Sequence, residues 1–165
     1  MISLTIKNIP DFMNKLLIKD IFDKLLLSEA TFITGSTYTI DGRINTHFYN
    51  SEELEVLPDK QYSTWGVQRP HAFNLIKGSK VPTGMKIIFA LSPSTITNLI
   101  EKNGIDMDIC DIDGLFININ YKDDNVTIIS GTSLKKFTLD KTLEMAFDSY
   151  VLNSFEMAGI EFKEN

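Results

Sequence analysis

One stretch of the chain gathers the residues best suited to bind an anion. Positions 60–100 hold five basic residues and no aspartate or glutamate, so the other positions hold eleven of the sixteen bases and all twenty-two acids. The stretch therefore carries +5 and the remainder −11, which sum to the net charge of −6. This layout favours charge-guided binding over a general affinity for nucleic acid. The five basic residues are Lys60, Arg69, Lys77, Lys80 and Lys86.

Five residues of this stretch form the candidate binding site: Trp65, Arg69, His71, Lys77 and Lys80. Arginine and lysine neutralise phosphates, and a flat tryptophan ring can stack on a nucleic-acid base. Alternatively, Trp65 belongs to the core, and the lysines form a solvated face that complements the acidic remainder of the same protein or of a second copy. The sequence leaves both interpretations open.

A second cluster is acidic and could hold a hard cation. Asp106, Asp108, Asp111 and Asp113 lie close together, and carboxylates in an extended segment can bind Ca²⁺ or Mg²⁺. The EF-hand pattern fails, because Cys110 falls at its fifth position and Asp111 falls where it requires glycine. We therefore predict an exposed acidic loop and no metal site.

No motif indicates catalysis or a cofactor. Cys110 stands among four aspartates, which disfavour the thiolate that a nucleophile needs. Neither His47 nor His71 is paired with a serine or carboxylate by a recognisable motif. We predict no catalytic residue and no cofactor. An enzyme whose site is assembled from distant residues stays an open alternative, and one such set is Asp41, Arg43, His47 and Arg69.

Composition is typical of a globular domain. With 165 residues, 43% of them hydrophobic, the chain can bury its own core, and we predict a single α+β domain over residues 1–165. The single cysteine can form no internal disulfide, which indicates a reducing compartment. No secretory leader and no run of eighteen apolar residues is found, so we expect a cytoplasmic protein with no membrane span.

The elements that must position these residues alternate between strands and helices. Helices are predicted after Pro10, Pro93 and Asp140, and a central helix carries Trp65 and ends near Gly78. Two hairpin signals stand out, Asp41-Gly42 and Asp123-Asp124-Asn125. Strands are predicted at residues 3–7, 25–33, 37–40, 43–48, 85–91, 115–121 and 126–129.

The two halves of the chain, residues 1–58 and 84–138, share one order of elements: a strand, a helix and then antiparallel strands. This order predicts a possible duplication, with two sheets packed around a pseudo-twofold axis. It resembles the repeating unit of the sliding DNA clamps, and the resemblance implies a fold of paired units. The alternative is that many small α+β chains can be divided in this way.

Several short stretches resemble a family of uncharacterised bacterial proteins, mainly from Firmicutes, that carries only an unknown-function label. The resemblance covers nearly the whole chain and implies no activity and no site residues. The stretches are Ile40-Asp41-Gly42-Arg43, Arg69-Pro70, Leu75-Ile76-Lys77-Gly78, Gly131-Thr132-Ser133 and Phe137-Thr138-Leu139-Asp140-Lys141.

These observations favour a non-enzymatic interaction module. It would bind a protein partner, or itself, through complementary charged faces, with no membrane partner. The alternative is nucleic-acid or phosphate binding through residues 60–100, and an enzyme with an unrecognised site is the second alternative.

Overall fold

The structure is a computed structural model that describes residues 1–165. It contains eight strands and five α-helices, together with short 3₁₀ helices at Thr46–Phe48 and Ile109–Asp111. The strands are β1 (Ser3–Ile6), β2 (Leu26–Ile33), β3 (Thr37–Asp41), β4 (Ser63–Thr64), β5 (Gly84–Ala90), β6 (Ile112–Lys122), β7 (Asn125–Leu134) and β8 (Phe162–Glu164). The helices are α1 (Ile9–Leu17), α2 (Ser51–Val56), α3 (Trp65–Ile76), α4 (Pro93–Lys102) and α5 (Thr142–Met157).

All eight strands join one antiparallel sheet. Seven follow the order β3-β2-β5-β6-β7-β1-β8, and β4 pairs with β2 outside this path. Mixed helices and strands were expected and are confirmed, but one sheet replaces the two expected sheets. Both halves keep the strand–helix–hairpin order, yet β5 lies between β2 and β6 whereas β1 lies between β7 and β8. The first strands of the two halves, β1 and β5, therefore pair differently with the rest of the sheet.

Local signals in the sequence start three of the helices. The side chain of Asn8 accepts a hydrogen bond from the Asp11 amide at the start of α1, and that of Ser92 accepts one from the Thr95 amide in α4. A proline follows each capping residue within two positions, where the missing amide hydrogen costs nothing. At α5, the carboxylate of Asp140 accepts from the Thr142 amide at 2.9 Å.

The two hairpin predictions had different outcomes. Asp123 and Asp124 have φ angles of 51° and 55° and form the two-residue turn between β6 and β7, as predicted. The Asp41-Gly42 prediction was wrong, because the residues after Gly42 do not pair with β3: β3 pairs only with β2, and Arg43 bridges to Tyr62. Residues 43–48 are also not a regular strand: Arg43 makes one isolated bridge to Tyr62, and a 3₁₀ helix follows.

The hydrophobic core lies between the helices and one face of the sheet. Alternate residues of β6 are buried, while Asn118 and Asn120 point to the other face and are half-exposed. The buried core forms one cluster of 30 residues, which draws on α1, α3, α4 and α5 as well as the strands. The buried residues of β6 on the helical side are Leu115, Ile117, Ile119 and Tyr121.

The other face of the sheet carries no helix and is largely polar. Strand pairing places one row of polar residues across it, and Lys86 belongs to this row. An antiparallel sheet with one packed and one solvated face commonly has this pattern. The row is Thr39, Thr31, Lys86, Asn120, Thr127, Thr5 and Lys163.

Candidate functional site

Trp65 opens α3 and lies entirely within the core. Its side chain is 0% exposed, and its ring meets Phe89 edge-on at 5.3 Å. The indole Nε1 donates a hydrogen bond of 2.8 Å to the carbonyl of Leu16, in the last turn of α1. The predicted role of this ring as a stacking surface is therefore wrong, because no ligand can reach it. Trp65 instead connects the start of α3 to the end of α1.

Arg69 of α3 also bonds to the C-terminal end of α1 and to the segment that follows it. Its Nε and a terminal nitrogen donate to the two carboxylate oxygens of Asp23 at 2.7 and 2.8 Å, and its other terminal nitrogen donates to the Ile18 carbonyl at 2.9 Å. The hydrogen bonds to Asp23 raise the pKa of Arg69 above its ordinary value. A bidentate pair of this kind fixes orientation as well as distance. All three nitrogens of the guanidinium are engaged within the protein, and the Asp23 carboxylate already compensates its charge.

Helices α1 and α3, which Trp65 and Arg69 connect, form two walls of an apolar groove. The cavity has a volume of about 490 Å³ and lies between α1 and the C-terminal end of α3, with residues 77–82 closing one side. Buried Met85 of β5 and Tyr121 of β6 line it from the sheet. Its remaining lining residues are Ile9, Pro10, Met13, Asn14, Leu17, Ile18, Phe73, Ile76, Lys77, Gly78, Lys80, Val81 and Pro82.

The groove is open, and part of its apolar lining faces solvent. Val81 is 73% exposed and Ile18 is 54% exposed, and Phe73 also reaches the surface. Phe73 is an apolar residue of α3, and it would be expected in the core. It reaches solvent instead, because that side of α3 has no covering element. Exposed apolar residues that lie together are a feature of many interaction sites, so this part of the lining is a candidate for one.

Lys77 and Lys80 supply the charge of the groove. Both side chains are exposed, neither makes an ion pair, and the lining contains no carboxylate. The chain turns sharply between them at Gly78, whose φ of +149° is a conformation that other residues rarely adopt. The result is an apolar cavity with two uncompensated positive charges at its edge.

The basic stretch does not form one surface. Lys86 lies on the open face of the sheet, whereas its neighbour Met85 points into the groove, because successive side chains of a strand alternate. The ammonium group of Lys60 donates to the Leu54 carbonyl. His71 is exposed and makes no side-chain hydrogen bond. Of the five predicted site residues, only Lys77 and Lys80 meet in the groove.

The acidic cluster is arranged for local structure. Asp108 accepts a hydrogen bond of 2.9 Å from the Cys110 amide at the start of the second 3₁₀ helix, and this bond lowers the pKa of Asp108. Asp111 pairs with Lys136 at 3.4 Å. No three His, Cys, Asp or Glu side chains in the chain are placed to hold a metal ion.

The set proposed for a dispersed enzyme site is not assembled around a cavity. Arg43 pairs with Asp41 at 3.4 Å in full solvent, and Arg69 is bound to Asp23. None of Asp41, Arg43, His47 and Arg69 lines any of the five main cavities. The groove lining contains no histidine, cysteine, serine, threonine, aspartate or glutamate.

Comparison with known proteins agrees with the resemblance seen in the sequence. Residues 15–163 match the profile of DUF5721, which is described as a family of unknown function. The chain belongs to this family. The part that matches DUF5721 begins within α1 and includes α3, Lys77 and Lys80. Searches of curated proteins and of solved structures gave no match.

Sequence reasoning missed the α1 wall of the groove. Of the residues of α1 and its C-terminal cap that line the groove, Leu17 is buried, Met13 is half-buried and Ile18 is exposed. One signal could have indicated the site: apolar residues continue past the end of α1 at Ile18, without a polar break. A second was the mixture of apolar and basic residues at positions 76–82.

None of the helices is long and apolar enough to cross a bilayer.

Proposed function

We propose that this protein is a non-enzymatic binding module that holds an acidic, apolar segment of a protein partner in its groove. The observation that carries the proposal is the combination of apolar walls with two unpaired lysines at the edge of the same cavity. Ligand sites are typically apolar with a few placed polar groups, and a volume of this size falls in their usual range.

A protein segment fits the groove better than a nucleic acid. Base stacking needs an accessible aromatic face, but Trp65 is buried, and Phe73 is the only accessible phenylalanine or tryptophan in the lining. Phosphate recognition favours a track of several cations, whereas this groove has two. Exposed Val81 and Ile18 would instead be covered by apolar side chains of a partner.

A dye that is both apolar and anionic tests the site directly. We expect anilinonaphthalene sulfonate to bind the protein with a rise in its fluorescence, and Val81→Glu to abolish most of the rise. Val81 is a suitable site for the substitution because it is largely exposed, so the fold tolerates the change. Met145→Glu is the matched control, since Met145 is a similarly exposed apolar residue on α5 and lines none of the five main cavities.

Displacement of the dye identifies the class of ligand. We expect a peptide of leucine and glutamate to displace it, and neither a leucine–lysine peptide nor an oligothymidylate to do so. Lys77→Glu with Lys80→Glu should weaken the acidic peptide about tenfold, because exposed ion pairs contribute up to ~1 kcal/mol each. Lys86→Glu, on the other face of the sheet, should leave binding unchanged.

Two outcomes would overturn the proposal. Dye fluorescence that is equal in wild type and Val81→Glu would show that the groove does not bind apolar ligands. Displacement by oligothymidylate at lower concentration than by the acidic peptide would favour the nucleic-acid alternative. A duplicated, clamp-like origin of the two strand–helix–hairpin units and a cytoplasmic location stay predictions, and the binding proposal depends on neither.

A further inference from the structure

The chain carries, away from the groove, an acidic and apolar segment that lies on the surface. Residues 46–57, the acidic arm, comprise the first 3₁₀ helix and α2, and no residue of either helix is buried. Phe48 and Val56 are each 79% exposed. Glu52, Glu53 and Glu55 give the arm a charge of −3 with His47 neutral.

The arm holds its shape through its own hydrogen bonds. The side chain of Asn50 accepts from the Glu53 amide, and the carboxylate of Glu53 accepts from the Asn50 amide, each at 2.8 Å. This reciprocal cap satisfies the first turn of α2 without help from the core. The arm is therefore a preformed helical segment whose apolar side chains are free to bind elsewhere.

We propose that the segment bound by the groove is the acidic arm of a second copy of this chain, an inference that rests on the proposed function of the groove. The charges are complementary, because the arm carries three carboxylates and the groove two unpaired ammonium groups. The apolar surfaces are complementary as well, since Phe48 and Val56 of the arm match the open apolar lining at Val81 and Phe73 in character.

The arm and the groove of one chain lie near opposite ends of β5. The groove meets β5 at Met85, whereas Asp59 and Gln61, which follow the arm, share a cavity with Ala90 at the other end of β5. Met85 and Ala90 are five residues apart, so at about 3.4 Å per residue they lie about 17 Å apart. This separation favours a contact between two molecules over one within the chain.

Each copy has one arm and one groove at opposite ends, so the contact is head-to-tail. Such an interface repeats until it closes a ring or extends as a filament. An arm of twelve residues buries little surface, which is typical of weak and transient contacts. We expect the average mass of the wild-type protein to rise with concentration and to fall as salt increases.

Complementation between two variants tests the contact. The arm variant carries Phe48→Ser and Val56→Ser, and the groove variant carries Val81→Glu. In sedimentation velocity, each variant alone should remain a monomer. Their equimolar mixture should form a dimer and nothing larger, because only one intact arm and one intact groove remain. Met157→Ser is the control and should assemble as the wild type does.

A charge exchange provides a second readout. Lys77→Glu with Lys80→Glu should reduce assembly about tenfold, as should Glu52→Lys with Glu55→Lys, and a mixture of the two proteins should recover it. Glu53 is left unchanged because it caps α2. Recovery in the mixture would assign the charges to one shared interface.

The outcomes separate this inference from the proposed function. A wild-type protein that stays monomeric at high concentration and low salt, or variants that assemble alone as well as in the mixture, would overturn the acidic arm as the occupant. If the groove of such a protein still binds the dye and the leucine–glutamate peptide, the groove remains a binding site for another partner. Loss of dye binding would remove both conclusions.

Discussion

Gly42 follows an aspartate, as in many hairpin turns, but its role is steric. A side-chain carbon at this position would lie 1.7 Å from the carbonyl oxygen of Leu27, and the Gly42 φ angle is not positive. The Gly42 amide donates to Ser28, and its carbonyl accepts from the Ser63 amide, so strands β2 and β4 hold it from both sides. Only glycine fits this close approach of two backbones.

Substitution of Gly42 by alanine should therefore be costly. We expect Gly42→Ala to lower the free energy of unfolding by about 3 kcal/mol, the upper part of the usual range for overpacking. Urea denaturation followed by Trp65 fluorescence measures the change. Gly35→Ala is the matched control, because a carbon added there meets nothing within 4 Å. Equal midpoints for the two variants would contradict this steric explanation.

Tyr121 lines the groove, and the pKa of its phenol depends on its surroundings. Burial raises the pKa of this phenol above its ordinary value of 10.0, and the hydrogen bond of 3.0 Å to Asp124 adds to the effect. The folded protein thus keeps Tyr121 neutral at a pH where the unfolded chain ionises it. The resulting stabilisation is complete below pH 10 and is lost as the pH rises through the elevated pKa.

Ultraviolet titration of the five tyrosines detects this group. We expect one phenol to ionise later than in the unfolded chain, and Tyr121→Phe to remove that late component. Tyr38→Phe, a change on the exposed edge strand, should leave it in place. A late component that persists in Tyr121→Phe would assign it to another residue.

The contacts of Trp65 and Arg69 hold helices α1 and α3 together. Breaking the Arg69–Asp23 pair should loosen both walls of the groove. We expect Arg69→Gln and Asp23→Asn each to destabilise the protein by about 1–3 kcal/mol, since hydrogen bonds to charged groups are involved and both side chains are largely covered.

A double-mutant cycle isolates the pair. The coupling energy between Arg69 and Asp23 should exceed about 1 kcal/mol. The Arg43–Asp41 pair is the natural comparison, because it joins the same residue types in full solvent, where coupling is about 0–1 kcal/mol. A coupling energy for Arg69–Asp23 no larger than that of the exposed pair would contradict its structural role.

The sequence predicted elements well where one local cause decides the structure. Pro10 and Pro93 mark helix starts, and Asp123-Asp124 marks a turn, because each signal acts within a few residues. The role of Gly42 was predicted wrongly, because glycine is favoured both in a hairpin turn and where two backbones lie close together. The α2 helix was not predicted, because it has no buried stripe to reveal its period.

For the whole molecule, charge along the sequence was a poor guide to charge on the surface. Three residues of the basic stretch lie apart from the groove. Lys60 bonds to the Leu54 carbonyl, Arg69 bonds to the Asp23 carboxylate, and Lys86 lies on the open face of the sheet. The groove was not predictable as such, because it combines residues 9–18, 73–82, 85 and 121. Their meeting depends on the sheet order, which no local pattern encodes.

The position of β1 between β7 and β8 also orders events in time. Thr5 of β1 pairs with Thr127 of β7, 122 residues further along the chain. At roughly 5–20 residues per second, a ribosome needs about 6–24 s to supply that partner. Throughout this interval the core residues Leu4 and Ile6 have no strand beside them. Strand β1 is thus made well before its partners, and this side of the sheet closes only after β7 and β8 have been synthesised.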